Sequence, residues 1–120
     1  MSDKLNDTEM ERLCKTVHEA LRAFDAGVGK PKPSWARAPK WMKQATRESI
    51  DHVLEFRDQN PGAQHEQWVR AKEQAGWKYG PVKDGRKKTH PLLIPFSELP
   101  PHEQRKDAIL IALVRAFSTA

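Results

Sequence analysis

His65, Trp68 and Lys72 are the residues whose types and spacing suit recognition chemistry best. Their i, i+3, i+7 spacing puts them on one face of a helix. An imidazole, an indole and an ammonium make a poor core face, but they suit a planar, anionic ligand. The indole can stack on a base while the cation meets a phosphate. Trp68 keeps a second role open, as a core anchor with the Lys72 stem lying over it. The small apolar positions left for core packing on that helix are Ala71 and Ala75.

A basic arm follows, reading Trp77-Lys78-Tyr79-Gly80-Pro81-Val82-Lys83-Asp84-Gly85-Arg86-Lys87-Lys88-Thr89-His90-Pro91. Lys83, Arg86, Lys87, Lys88 and His90 offer donors to an anion. Gly80 permits a turn or the close approach of a ligand. A solvated charged loop is the plain alternative. Single-stranded nucleic acid is a third reading, because basic residues interleaved with aromatics also bind strands.

Catalysis finds little support. His18-Glu19, His65-Glu66 and His102-Glu103 are adjacent pairs, and adjacent helical positions point in different directions. The position four after His65 is Val69, so no His-Glu-x-x-His zinc pattern exists. Phosphate-loop, nucleophile-elbow and dinucleotide glycine patterns are missing. Cys14 and His18 are spaced i, i+4, but Cys14 lies beside an apolar stripe and reads as a small apolar residue. With one cysteine there is no internal disulfide and no cysteine zinc site, and a reducing compartment is expected. The expectation is a non-enzyme with no metal and no cofactor.

Four helices must position these residues. The first opens with a capping box of Thr8 and Glu11. Met10, Leu13, Val17, Leu21 and Phe24 then mark one apolar face, and Gly27 and Gly29 end it. Residues 30–39 form a connector whose three prolines forbid a helix interior. Trp35, a large aromatic in such a connector, is expected to pack onto the domain. The second helix is expected over residues 39–58, with Met42, Ile50, Val53 and Leu54 buried and Trp41 nearby. Asn60-Pro61-Gly62 breaks the chain. The third helix covers residues 63–75, with Gly76 as its stop. Residues 77–95 are irregular or a short β-ribbon, and Asp84-Gly85 could turn a hairpin. The last helix begins at Pro100-Pro101 and carries Ile109, Leu110, Leu113, Val114 and Phe117 on one stripe.

A chain of 120 residues fits one domain. Its formal charge of +5 and pI near 9.5 favour an anionic partner. The charge is uneven: residues 30–47 hold six basic residues and no acid, and residues 78–88 hold five basic residues and one acid. Residues 1–11 lack the apolar core of a secretory signal. The longest apolar stretch, residues 108–114, is far short of the roughly 20 residues of a membrane span. A cytoplasmic protein without membrane contact is expected.

Further residues carry a family resemblance. His65-Glu66-x-Trp68, Lys72, Gly76-Trp77-x-Tyr79-Gly80-Pro81-Val82-Lys83-Asp84, Lys88-x-His90-Pro91-Leu92 and Pro95-Phe96-Ser97-Glu98-Leu99-Pro100 resemble the ryanodine receptor repeat, or RyR domain, over residues 63–117. The order, the spacing and the rare Trp, Tyr and Pro positions agree together. The segment from Val17-His18-Glu19-Ala20 through Trp35 and Trp41 is similar to the extension of the family's small stand-alone bacterial and phage members, although Leu21 stands where those commonly have Asn.

The resemblance implies a mainly α, small single-domain fold with a short β-ribbon in the basic arm, residues 1–62 being a helical extension packed on the repeat of residues 63–120. It implies a binding or scaffolding module without enzymatic activity. Family repeats bind adenine nucleotides, and prokaryotic ones are proposed sensors of nucleotide-derived signals. Carried over by position, Trp68 is the stacking indole and Lys72, Lys83 and Lys88 are the phosphate contacts, with Tyr79 and His90 assisting. The family often has Arg at those basic places, and Lys supplies a point charge in its stead. Channel repeats form their site between two copies. Here His18, Arg22 and Trp41, with Trp35, could supply the second wall, or a second chain could, as a homodimer or protein partner. The expected ligand is an adenine nucleotide or nucleotide-derived signal. A scaffold docking an acidic partner is the alternative, and nonspecific nucleic-acid binding the weaker one.

Overall fold

The structure, a computed structural model, describes residues 5–56 and 60–118. Four helices carry the chain: α1 (Asp7–Ala26), α2 (Lys40–Glu55), α3 (Pro61–Gln74) and α4 (Pro101–Ser118). Two short strands, β1 (Lys78–Tyr79) and β2 (Thr89–His90), lie between α3 and α4. One-turn 3-10 segments occupy Trp35–Arg37 and Phe96–Glu98. The mainly α expectation with a small ribbon holds. The chain resolves into two compact units, the described residues of Met1–Arg57 with Ala108–Ala120, and those of Asp58–Asp107. No helix among the described residues is long and apolar enough to cross a membrane.

The first unit is built on the apolar face of α1. Met10, Leu13, Cys14 and Val17 pack with Trp35, with Ile50 and Val53 of α2, and with Ile111 and Val114 of α4. Full burial of an aliphatic side chain of this size stabilises by about 1.5–3 kcal/mol. Ile111 is a core residue that the stripe expected on α4 omits, while Leu110, Leu113 and Phe117 flank the core.

The start of α1 differs from expectation. Asn6, in extended backbone, is the cap: its side chain accepts from the Glu9 N–H (2.8 Å), and Glu9 accepts from the Asn6 N–H (2.9 Å). The capping box is therefore two residues upstream of Thr8 and Glu11. The second helix starts one residue after Pro39 and stops at Glu55. Its expected end at Asp58 lies outside the described residues.

The polar side of α1 explains the connector. The Trp35 backbone N–H donates to Glu19 (2.8 Å) and its indole N–H to Glu11 (3.1 Å). Glu19 also pairs with Arg22 at 2.9 Å, and Arg22 Nε donates to the Lys32 carbonyl at 3.1 Å. These donors, with the Trp35 N–H foremost, hold the Glu19 carboxyl below its usual range. Buried His18 bonds the Pro33 carbonyl (2.8 Å), so its Nε2 carries the proton. Buried Asp25 pairs with Lys32 at 2.9 Å. A proline-rich stretch has few amides of its own to satisfy its carbonyls, and α1 supplies the donors.

Candidate functional site

The second unit positions the basic arm. Asn60 caps α3 by accepting from the Ala63 N–H (2.8 Å), with Pro61 in the first turn. Asn60-Pro61-Gly62 thus starts a helix as well as breaking the chain. At the other end Gly76 takes φ +92°, the Trp77 N–H reaches the Lys72 carbonyl (2.9 Å), and the Gly76 N–H reaches Glu73 (3.0 Å). This is a Schellman stop. It turns the chain directly into β1.

The two strands pair in parallel, Lys78 opposite Thr89 and Tyr79 opposite His90. A two-residue turn at Asp84-Gly85 does not form; Asp84 and Thr89 instead make an antiparallel bridge that closes a turn of residues 85–88. Residues 80–88 instead loop out and return in the same direction. Asp84 organises that loop: Oδ1 accepts from the backbone N–H groups of Arg86 (2.9 Å) and Lys87 (3.2 Å). The Asp84 and Thr89 backbones also exchange hydrogen bonds at 3.0 and 3.1 Å. The Thr89 hydroxyl donates to the Val82 carbonyl at 2.8 Å. The loop's exposed cations are thus displayed from an internally bonded backbone.

Gly80 is buried, and a Cβ there would meet the Thr89 Cβ at 2.6 Å. Its glycine serves close strand packing, so the expected approach of a ligand is not needed to explain it.

His65, Trp68, Trp77 and His90 form one ring cluster. Trp68 stacks on His65 (5.5 Å between centroids, 29°) and meets His90 edge-on (5.2 Å, 80°). His90 also meets Trp77 at 6.5 Å. Lys72 places its ammonium 4.9 Å from the Trp77 ring centre. Trp68 is half-buried, so part of its ring packs in the cluster and part remains exposed. The buried positions of α3 are Gln64 and His65, whereas Ala71 and Ala75 are exposed. Ring size and a bonded imidazole fill this interior better than two methyl groups would.

Electrostatics separate the two imidazoles. The Nδ1 of His90 accepts from the Leu92 N–H at 3.0 Å, which leaves its proton on Nε2. Burial first, then the charges of Lys83 and Lys72 and the influence of His65, push its pKa down to about 4. His90 is therefore a neutral donor, in place of the cationic contact its type suggests. His65 is buried and donates Nε2–H to the Ile94 carbonyl at 2.7 Å. Its Nδ1 faces Asp107 at 3.9 Å. Burial raises the Asp107 carboxyl to about 6, against the opposing pull of His65.

The expected site residues take distinct places. Trp68 and His90 belong to the ring cluster, the Lys72 ammonium lies over Trp77, and the charge of Lys83 acts on His90. Tyr79 is 57% exposed on β1. Lys88, expected as a phosphate contact, has φ +55° and sends its Nζ to the Ala75 carbonyl (2.8 Å) at the end of α3. A helix C-terminus attracts a cation. His18 and Arg22 are spent on the connector, and Trp41 is exposed on the first turn of α2. Asp84 and Asp107 were not singled out in the sequence as functional. An Asp two and three residues before loop amides is the available signal for the first. The second has no local signal. Among the described residues no group of three or more His, Cys, Asp or Glu is arranged to hold a metal ion. A protein-family model, the RyR domain, matches residues 39–114.

Proposed function

This chain belongs to the RyR domain family, and from that membership and the arm's geometry we propose that it is a non-catalytic binding module for an adenine nucleotide or a nucleotide-derived signal. One observation carries the proposal: His65, Trp68, Trp77 and His90 form a ring cluster with the Lys72 ammonium 4.9 Å from the Trp77 ring centre, and the positive charges of Lys83 and Lys72 both act on the half-buried His90. An anion relieves that one-sided field, and the neutral Nε2–H of His90 can donate to it. Trp68, half-buried against His65 and His90, would offer the exposed part of its ring to a base, and the exposed Tyr79 ring would add to it. Stacking contributes about 1–3 kcal/mol per base, and charged hydrogen bonds about 1.5–3 each. After the costs of association the expected affinity is micromolar. The protein would act in the cytoplasm as a small stand-alone member of the bacterial or phage type, as a sensor or a sink for its ligand.

The test is thermal melting at fixed salt against ATP, ADP, NAD, ADP-ribose and cyclic dinucleotides, with inorganic phosphate as control. A ligand at about 100 times its Kd stabilises by roughly 2.7 kcal/mol, a shift of several degrees. The expected result is a shift with one nucleotide that phosphate does not reproduce and that Trp68→Ala or Lys83→Ala abolishes. Flat melts across the panel would refute it. They would favour a second reading, a scaffold for an acidic protein, which the exposed Tyr79 and Val82 on the same arm support.

A further inference from the structure

Asp107 begins a chain of contacts that ends on Trp68. Its Oδ2 stands 3.9 Å from Nδ1 of His65, whose side chain is 5% exposed. The other ring nitrogen, Nε2, donates to the Ile94 carbonyl at 2.7 Å, so Nδ1 of the neutral ring is an acceptor. His65 lies against Trp68, with centroids 5.5 Å and planes 29° apart, and tilts against Phe96 at 5.9 Å. His90 meets the same Trp68 ring edge-on at 5.2 Å. All of these residues lie in the second compact unit.

The Asp107–His65 contact changes sign with one proton. A carboxylate facing the Nδ1 lone pair sets acceptor against acceptor, and at 3.9 Å no hydrogen bond joins them. A carboxylic acid has a proton to donate to Nδ1 and can close that gap. Burial raises the Asp107 carboxyl to about 6; His65 opposes the rise, Glu103 adds to it and Lys106 opposes it. Glu103 and Lys106 stand on α4, and His90, on β2, is the further titratable group of the cluster. Burial, with Lys83 and Lys72, keeps His90 neutral down to about pH 4, so it is silent where Asp107 titrates. Shifted carboxyls of this kind concentrate at functional sites.

We propose that Asp107 is a positioning residue for the binding site: as the protonated acid it holds His65, and His65 holds the Trp68 ring that stacks on the ligand's base. The last step rests on the nucleotide reading, whereas the hold on Trp68 stands without it. With its proton on, Asp107 gives the imidazole a second hydrogen bond beside the one to Ile94, and the ring behind Trp68 is fixed at both nitrogens. As the carboxylate it leaves His65 with the Ile94 bond alone. The ligand therefore binds more tightly below about pH 6 than above it. One neutral hydrogen bond sets the size of the change at about 2- to 10-fold.

The experiment is a pair of pH titrations of the whole protein from pH 5 to 8. The first follows the indole N–H signals by NMR without ligand, the Trp68 signal being assigned from Trp68→Phe. In the parent it should move with a midpoint near pH 6. In Asp107→Asn, whose amide donates to Nδ1 at every pH, it should stay at the parent's pH 5 position. In Asp107→Leu, which donates at none, it should stay at the parent's pH 8 position. The second measures Kd for ATP, ADP, NAD, ADP-ribose and cyclic dinucleotides as the ratio of parent to Asp107→Asn, which cancels any titration of the ligand itself. For the nucleotide that binds, the ratio should be near one at pH 5 and about 2 to 10 at pH 8. A Trp68 signal that does not titrate, or that titrates equally in Asp107→Asn, overturns the proposal, as does a ratio that is the same at both pH values. If Trp68 titrates as stated and no nucleotide of the panel binds, the hold on the ring is supported and the nucleotide reading alone falls.

Discussion

Replacing Asp107 by Asn should make the protein more stable at pH 8 and leave it unchanged near pH 4. The folded Asp107 carboxyl keeps its proton up to about pH 6, while the unfolded one loses it near 3.8. Folding therefore binds a proton between those values, and stability falls as pH rises from about 4 to about 6. For full burial the cost above pH 6 would be about 3 kcal/mol. The side chain is 35% exposed, and screening by water reduces the cost to about 1–2 kcal/mol. His90 runs the other way. Its pKa drops from 6.5 to about 4 on folding, so stability is lost as pH falls through that window. It is half-buried, and the same discount leaves about 1–2 kcal/mol. The two slopes overlap between pH 4 and 6 with opposite sign, so the parent protein should be nearly flat there. Asp107→Asn removes one of them. The variant should gain about 1–2 kcal/mol at pH 8 and show a bare downward slope on acidification. Urea unfolding followed by tryptophan fluorescence at pH 4, 5, 6, 7 and 8 measures this. A variant no more stable than the parent at pH 8, or a difference constant with pH, would refute the reasoning.

Lys88→Ala removes the bond to the Ala75 carbonyl and should cost about 1 kcal/mol in chemical denaturation. Lys88→Gly loses the same bond but relieves the φ of +55°, so it should be about 1 kcal/mol more stable than the Ala variant. Gly80→Ala forces its Cβ to within 2.6 Å of Thr89 and should part the strands at a cost of about 1–3 kcal/mol. Faster amide exchange at Lys78 would report it, and Thr89→Gly in the same chain should restore protection. Asn6→Ala should cost about 1 kcal/mol, while Thr8→Ala should stay within about 0.5 kcal/mol, a contrast that thermal melting resolves.

What was legible in the sequence was local. The apolar periodicity of α1 gave Met10, Leu13 and Val17 as core, and the same rule found Val114 on α4. Gly76 stops α3 through a motif that spans six residues, so neighbours alone specify it. Trp35 was expected to pack because a large ring in a proline-rich connector needs cover, and it is buried. Failures came where two local signals compete, or where a short strand has to find its partner across a loop. Asn6 and Thr8 both begin a box with Glu three residues on, and the sequence does not rank two good caps. The strand pair is parallel because Asp84 and Thr89 fold the loop back on itself, which the Asp84-Gly85 dipeptide does not encode.

Three lysines show the same limit at the site. Lys72, Lys83 and Lys88 are equivalent as sequence, each a cation near a ring residue. In the fold Lys72 rests on Trp77, Lys88 closes the end of α3, and Lys83 bears on His90 from an exposed loop. A cation held to a carbonyl at 2.8 Å gives up that bond if it turns to a ligand phosphate, whereas the Lys72 ammonium already lies beside the ring cluster. The ligand contact should therefore fall on Lys72 before Lys88. An anion seated there also raises the pKa of His90 from about 4, because it reverses the sign of the charge nearest the ring. NMR titration of the His90 imidazole with and without nucleotide measures that rise. An unmoved pKa in the presence of a ligand that stabilises the protein would place the ligand elsewhere.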